Sequence, residues 1–441
     1  MEGMYLMKNY TDKKEKIIRI LKNQVTPALG CTEPGAVALS TARVKEILNE
    51  PVEKLIVSVD KNVLKNGMGV GIPGTKERGN AFAAALALVV GKSEYGLEVL
   101  KKVNNEAIEV ANELINNKVI EMQYNEEADG LEIIAKAIGK NHTAKVIIRN
   151  SHTNIVFESK DNIILLDRIN NTSNETNADN TKTVSLQQEI KDYSLEELIE
   201  LAKTMPSSDL LFIQDGIEMN LRISEAGLTS DVGIGIGRYL MDSGSETVAG
   251  RAKAITAAAS EARMAGWPLP VMSSAGSGNH GLTAILPIVV FGRTLNKSDD
   301  LIRRSVALSH MVTIYVKSFL GSLSPICGCG VAAGVGCSAG LTFLQDGNNH
   351  QIGAAIDNMI SGLSGMLCDG AKLSCSYKLA LSVDAAIDAA NLSLARVHIP
   401  SDNGILGETP ELTIQNMAKV SVLGMSNTDG VIVDIMKEKC S

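Results

Sequence analysis

Five of the seven cysteines in this 441-residue chain fall in three short stretches punctuated by glycine and proline. Cys31 lies in PALGCTEPG, Cys327 and Cys329 in SPICGCG, and Cys368 and Cys375 in GMLCDGAKLSC. Thiolates are soft ligands that suit zinc, copper(I) or iron-sulfur clusters. A structural zinc site is usually built from two C-x2-4-C hairpins, whereas here a C-x-C and a C-x6-C stand about forty residues apart, which fits zinc poorly. Glycine beside a ligating cysteine lets backbone amides approach and hydrogen-bond the sulfur, one way a protein tunes an iron-sulfur cluster. The competing reading is inert core, because free cysteine is among the most buried residue types. Cys337 and Cys440 are assigned to that class, while the punctuated set favours a cluster.

Two glycine-rich stretches offer backbone N–H groups to an anion: NGMGVGIPGT, Asn66 to Thr75, and SAGSGNHG, Ser274 to Gly281. Nests of amides bind carboxylates without a charged side chain, which makes Asn66, Gly74, Thr75, Ser277 and Gly278 candidate substrate-binding residues. Asn279 adds an amide side chain. His280 is a candidate base, since an imidazole ordinarily titrates near neutral pH. The plainer alternatives are glycines that only turn the chain and a histidine that is merely hydrogen-bonded. A nucleotide reading of GMGVGIPGT fails for want of a G-x-x-x-x-G-K-[ST] pattern.

The elements that must position these groups are mostly helical. Thr11 to Asn23 reads as an amphipathic helix with Thr11 as its N-cap, and a second helix is expected from Pro34 to about Leu48. Leu55 to Val59, Lys145 to Ile148, Ile155 to Glu158 and Ile163 to Asp167 read as strands, with an Ala-rich helix over Asn80 to Val90. The Asn/Thr-rich run INNTSNETNADNTK marks a linker. Beyond it, Gly250 to Ala265, Gln351 to Met366 and Lys378 to Ala395 are helices rich in small residues, fit for a tight bundle. The expected fold is α+β: a mostly helical Ala/Gly-rich core bundle with a smaller inserted α/β subdomain. Residues 1–50 are expected to be N-terminal helices joining the core, 51–168 the subdomain, 169–184 the linker and 185–441 the helical catalytic domain.

Composition narrows the class. Hydrophobic residues at 45% and charged residues at 21% are those of a soluble globular chain, whereas 3% aromatics and 39 glycines demand a core packed on small aliphatic side chains. A net charge of -8 without a basic run gives no footprint for nucleic acid or an anionic membrane. Leu282 to Phe291 is about half of what a membrane helix needs, and Pro287 interrupts it. The N-terminus has no signal-peptide pattern, so a cytoplasmic location with reduced thiols is expected. The partner this implies is a small molecule; a homo-oligomer is compatible with it.

GCTEPGAVAL, KNGMGVGIPGT, AGSGNHG, CGCGVAAGVG and CDGAKLSC, in that order along nearly the whole chain, resemble the L-cysteine desulfidase family, which is related to the catalytic α-part of the iron-sulfur L-serine dehydratases. The resemblance implies a lyase that takes an amino-acid substrate and holds a 4Fe-4S cluster on three cysteines, with one iron open to the substrate. By position the implied ligands are Cys31, Cys329 and Cys368, with Cys327 and Cys375 close enough to replace one of them. The third cysteine of the serine dehydratases lies further downstream than Cys375, and their regulatory module is not recognisable here. Those departures favour the cysteine-acting branch over L-serine dehydratase, the alternative with the same cluster. A non-catalytic thiolate metal-binding or sulfur-carrier protein is the alternative from another class.

Overall fold

The structure, a computed structural model, describes residues 2–128, 130–169, 186–321 and 324–438, with backbone alone for residues 2–10. It is an α+β fold, mostly helical. The stretch read as a linker lies outside the described residues beyond Ile169, and so does Cys440.

The smaller layer is a six-stranded sheet in the order β3-β2-β4-β5-β6-β7, where β2 is Lys54–Val59, β3 Ile120–Tyr124, β4 Glu132–Ile138, β5 Thr143–Arg149, β6 Ile155–Lys160 and β7 Ile163–Asp167. β2 and β3 are parallel, joined by a crossover that contains the Ala-rich helix Asn80–Val90; the remaining neighbours are antiparallel. The sequence reading found four of these six strands and missed β3 and β4, whose apolar residues are diluted by Glu121, Gln123 and Lys136. Alternation along β2 puts Leu55, Val57 and Val59 into the core with Ala36, Val37 and Leu48 of the helix Thr32–Leu48.

The first helix spans Glu2–Gln24, so Thr11 lies inside it rather than at its N-cap. Its apolar stripe, Ile17, Ile20 and Leu21, enters the larger core built by the later helices, and Lys16 pairs with Glu189 and Asp192. The second helix, expected to join that same core, packs on the sheet instead. The turn between them is tied to the bundle by a two-stranded pairing of β1, Pro27–Ala28, with β8, Val271–Met272.

Small side chains let the bundle close. A Cβ at Gly336 would stand 2.2 Å from Thr313 Oγ1 and 2.4 Å from the Ser309 carbonyl, and one at Gly340 would stand 2.4 Å from Ile288 Cδ1. The helices Asp299–Leu320, Ala333–Leu344 and Gly278–Thr294 therefore meet almost backbone to backbone. Leu282 to Phe291 is buried within the last of these, and among the described residues no helix is long and apolar enough to cross a membrane.

A buried ion pair fastens the C-terminal helix Thr428–Glu438 to the subdomain: Lys65 Nζ lies 2.6 Å from Asp429 Oδ1, with the two side chains 1% and 9% exposed. Asp429→Asn removes the carboxylate charge and leaves the ammonium uncompensated, which should lower unfolding stability by about 3–5 kcal/mol. Urea or guanidinium titration of wild type and variant measures it directly. A change below about 1 kcal/mol would mean that water reaches Lys65.

Candidate functional site

Two loops bring the C-terminal cysteines together. Ile326 and Leu367 form an isolated antiparallel bridge, in which Cys327 N–H donates to the Met366 carbonyl at 2.8 Å and Cys368 N–H to the Pro325 carbonyl at 2.7 Å. SPIC and MLC are thus zipped side by side. Past Cys327 the chain makes one π-helical turn, Gly328–Ala332, in which Ala333 N–H reaches back to the Gly328 carbonyl; widened turns of this kind recur at functional sites. Cys329 sits in that turn, 3.6 Å from Ser277 Oγ. After Cys368, Gly370 adopts φ +91, and a Cβ there would stand 2.1 Å from the Lys65 carbonyl. Only glycine lets the C-D-G corner press on the helix Lys61–Gly67.

All six described cysteines are free thiols. Cys31, Cys329 and Cys368 are half-buried; Cys327, Cys337 and Cys375 are buried. Cys327 feels Cys329 most strongly, through a hydrogen bond, and together with burial this pushes its thiol well up. Burial and then the charge of Cys327 raise Cys368, while Cys375 is pushed up to about 11 by burial, with Cys327 and Cys368 adding to it. Lys317, whose stem lies against Gly328, is buried, which lowers its pKa, and charge on Cys329, Cys368 and Cys327 counters that. Asp369 stays below the ordinary carboxylate range, since hydrogen bonds from Lys372 and Lys378 outweigh its burial. Cys337, by contrast, sits in the apolar bundle core, and burial alone raises it.

Cys31 has other company. It is the N-cap residue of the helix Thr32–Leu48, and its thiol donates to Glu33 Oε2 at 2.8 Å. Thr32 Oγ1 donates to the same oxygen, and Asn66 Nδ2 to Oε1 at 3.0 Å. Burial would raise Glu33, but the charge of His152 and the bonds from Cys31 and Asn66 prevail and hold it ionised. Burial, and then the charge of Glu33, push the Cys31 thiol well up. Cys31 packs against the small apolar cluster formed by Val70, Met264, Leu373 and Cys375.

Arg263 joins this turn to the second glycine-rich stretch. Its Nη2 donates to the Gly30 carbonyl at 2.7 Å and its Nη1 to Asn279 Oδ1 at 3.1 Å. Ser277 and Gly278 open the helix Gly278–Thr294, and Ser277 caps it without a side-chain hydrogen bond. The first-turn amides have no partner within the helix. His280 is buried, its Nδ1 2.9 Å from the Ser274 carbonyl, and burial followed by the charge of Lys317 lowers its pKa to about 3. The near-neutral titration expected of it is therefore corrected: it stays neutral at physiological pH. Gly74 and Thr75 are engaged in their own turn, with Gly74 N–H on the Gly266 carbonyl and Thr75 N–H and Oγ1 both on the Ile72 carbonyl. That turn does reach the cysteine loop, since a Cβ at Gly30 would meet Pro73 Cγ at 2.7 Å.

Glu33, Arg263 and Lys317 escaped the sequence reading. Glu33 stood within the quoted GCTEPG, and a carboxylate two residues from a cysteine was the available signal. Arg263 and Lys317 sit in otherwise ordinary helical patterns.

Among the described residues no three Cys, His, Asp or Glu side chains converge on a point that would hold a single metal ion. A cluster makes a different demand, because its thiolates bind separate irons. Reduced thiols from two zipped loops, with a buried lysine as counter-charge, have the donor chemistry such a cluster takes.

The serine dehydratase alpha chain family matches residues 94–434. A Clostridium tetani protein named UPF0597 protein is 51% identical over 425 residues, covering 96% of this chain and 99% of its own. A UPF0597 protein of Caldanaerobacter subterraneus subsp. tengcongensis is 50% identical over 420 residues, 95% of this chain and 97% of its own, and one of Bacteroides fragilis is 37% identical over 435 residues, 97% and 99%. The chain belongs to the serine dehydratase alpha chain family, which is related to the iron-sulfur serine dehydratases.

Proposed function

We propose that this protein is an iron-sulfur-dependent lyase that converts L-cysteine and water to pyruvate, ammonia and hydrogen sulfide. The observation that carries the reading is the pairing of the loops that hold Cys327 and Cys368, with Cys329 in the adjoining π-helical turn, in a chain of this family. Cys329 and Cys368 are assigned as cluster ligands. Cys375, which ends the loop that begins at Cys368, is assigned as the third, in place of the Cys31 implied by resemblance, whose thiol is committed to the Glu33 carboxylate. A 4Fe-4S cluster with an open iron supplies a Lewis acid that eases departure of a poor leaving group.

In the elimination, the Cα–H and Cβ–S bonds break and a Cα=Cβ bond forms. The sulfur leaves with the bonding pair and is protonated, and the aminoacrylate takes up water to give pyruvate and ammonia. Cys31 and Glu33, a hydrogen-bonded thiol and carboxylate held in one turn, are assigned to moving the α-proton. Ser277, Gly278 and Asn279 present the open helix end where the substrate is oriented. Asn66 acts through Glu33, whose orientation it fixes.

L-serine is the second candidate substrate, on the strength of the family description. A thiol has a pKa of about 8.5 and so yields its proton near pH 7 at far lower cost than an alcohol, and iron takes sulfur readily. With reconstituted cluster under anaerobic conditions, kcat/KM for L-cysteine should exceed that for L-serine by at least about tenfold, or ~1.4 kcal/mol of transition-state discrimination. Pyruvate is followed for both and sulfide for cysteine. A smaller ratio would make this a serine dehydratase, and release of neither product with iron retained would make it a metal-binding protein.

A further inference from the structure

Arg263 is 7% exposed, its Nε–H is buried without a hydrogen-bond partner, and among the described residues no acidic side chain forms an ion pair with it. Its two named partners, the Gly30 carbonyl and the Asn279 amide oxygen, are both neutral. A buried cation left without an anion is costly, so this guanidinium is built for a negative charge that arrives from outside. Its surroundings say where. A Cβ at Gly278 would lie 2.5 Å from Arg263 Nε, so the guanidinium is stacked against the first residue of the helix Gly278–Thr294, whose opening amides have no partner within the helix. Gly276 is exposed and Ser277 half-buried, which leaves that end reachable, and Ser277 Oγ is 3.6 Å from Cys329 Sγ.

We propose that Arg263 and the open first-turn amides of Gly278 and Asn279 form the subsite for the carboxylate of the α-amino-acid substrate. This rests on the lyase reading for the identity of the substrate and adds the residue that makes the enzyme select an amino acid over a simple thiol or amine. Glycine at 278 is then required so that the guanidinium and the helix end share one anion. Asn279 holds the fork by Nη1 without neutralising it, a task an aspartate could not perform.

Two probes separate the parts of the substrate: 3-mercaptopropionate carries the thiol and the carboxylate, and cysteamine carries the thiol and the amine. Inhibition constants are measured on the anaerobically reconstituted full-length enzyme, as wild type, Arg263→Gln and Asn279→Asp, with iron content determined for each. Arg263→Gln should weaken 3-mercaptopropionate by at least about tenfold, as expected for loss of a charge-assisted contact, and change cysteamine less than about threefold. Asn279→Asp, which gives the guanidinium an internal counter-ion and keeps the side-chain shape, should do the same. Equal weakening of both probes, or of neither, in the Asn279→Asp enzyme would overturn the subsite. So would an Arg263→Gln enzyme that binds both probes normally while its kcat–pH profile moves to higher pH, because the guanidinium would then serve the Cys31 thiolate. Should wild type release neither pyruvate nor sulfide from any amino acid, the lyase reading fails separately. In that case thermal stabilisation by 3-mercaptopropionate that vanishes in both variants supports the subsite, and stabilisation that survives in them overturns it.

Discussion

Cys368→Ala should leave a folded protein without iron. Its backbone N–H to the Pro325 carbonyl is untouched by the substitution, so the bridge that joins the two loops remains. What goes is the thiol of the loop that is zipped to the Cys327 strand. A Lewis-acid centre contributes several kcal/mol of charge stabilisation in the transition state, so kcat/KM should fall by at least about 10³-fold. Iron, acid-labile sulfide and the visible absorption of the anaerobically purified protein should be lost with it. Cys337→Ala, a change inside the apolar bundle, should keep all three. A Cys368→Ala enzyme with wild-type iron would remove this loop from the site.

Cys31→Ser separates a ligand from a proton carrier. The serine hydroxyl can donate to Glu33 as the thiol does, so the turn should survive, but an alcohol is a much poorer proton shuttle than a thiol. Loss of general acid-base assistance is worth about 10²–10⁴-fold, and kcat should fall by that much while iron and labile sulfide stay at wild-type levels. If iron leaves together with activity, Cys31 is the third ligand, as its family position first implied, and Cys375 is core. Assaying Cys375→Ser beside it makes the two outcomes exclusive.

Much of this protein was legible in its residues. Asn80–Val90 and Lys54–Val59 are legible to within a residue of their ends, the first as an apolar run between Gly79 and Gly91, the second as a short aliphatic run closed by Asp60. The scarcity of aromatics foretold helices that meet at Gly336 and Gly340. The three cysteine stretches stand out by their glycine and proline punctuation, although Cys337, which follows Gly336, shows that glycine also flanks a core thiol.

Other features lay beyond any local pattern. The helix Thr32–Leu48 is buried on most of its faces, so its own sequence does not tell which core will claim it; the sheet does so because β4 and β5 offer the facing apolar rows. Arg263 and Lys317 sit in ordinary helical patterns, and only packing in three dimensions strips their water and brings Arg263 onto Asn279. His280 shows the same physics with the opposite consequence. Its residue type promises a proton exchanger at neutral pH, but once it is buried beside Lys317 the charged form costs too much, and it remains neutral. Residue type determined which groups could ionise, whereas desolvation and neighbouring charge, set by contacts between segments far apart in the chain, decided which of them do.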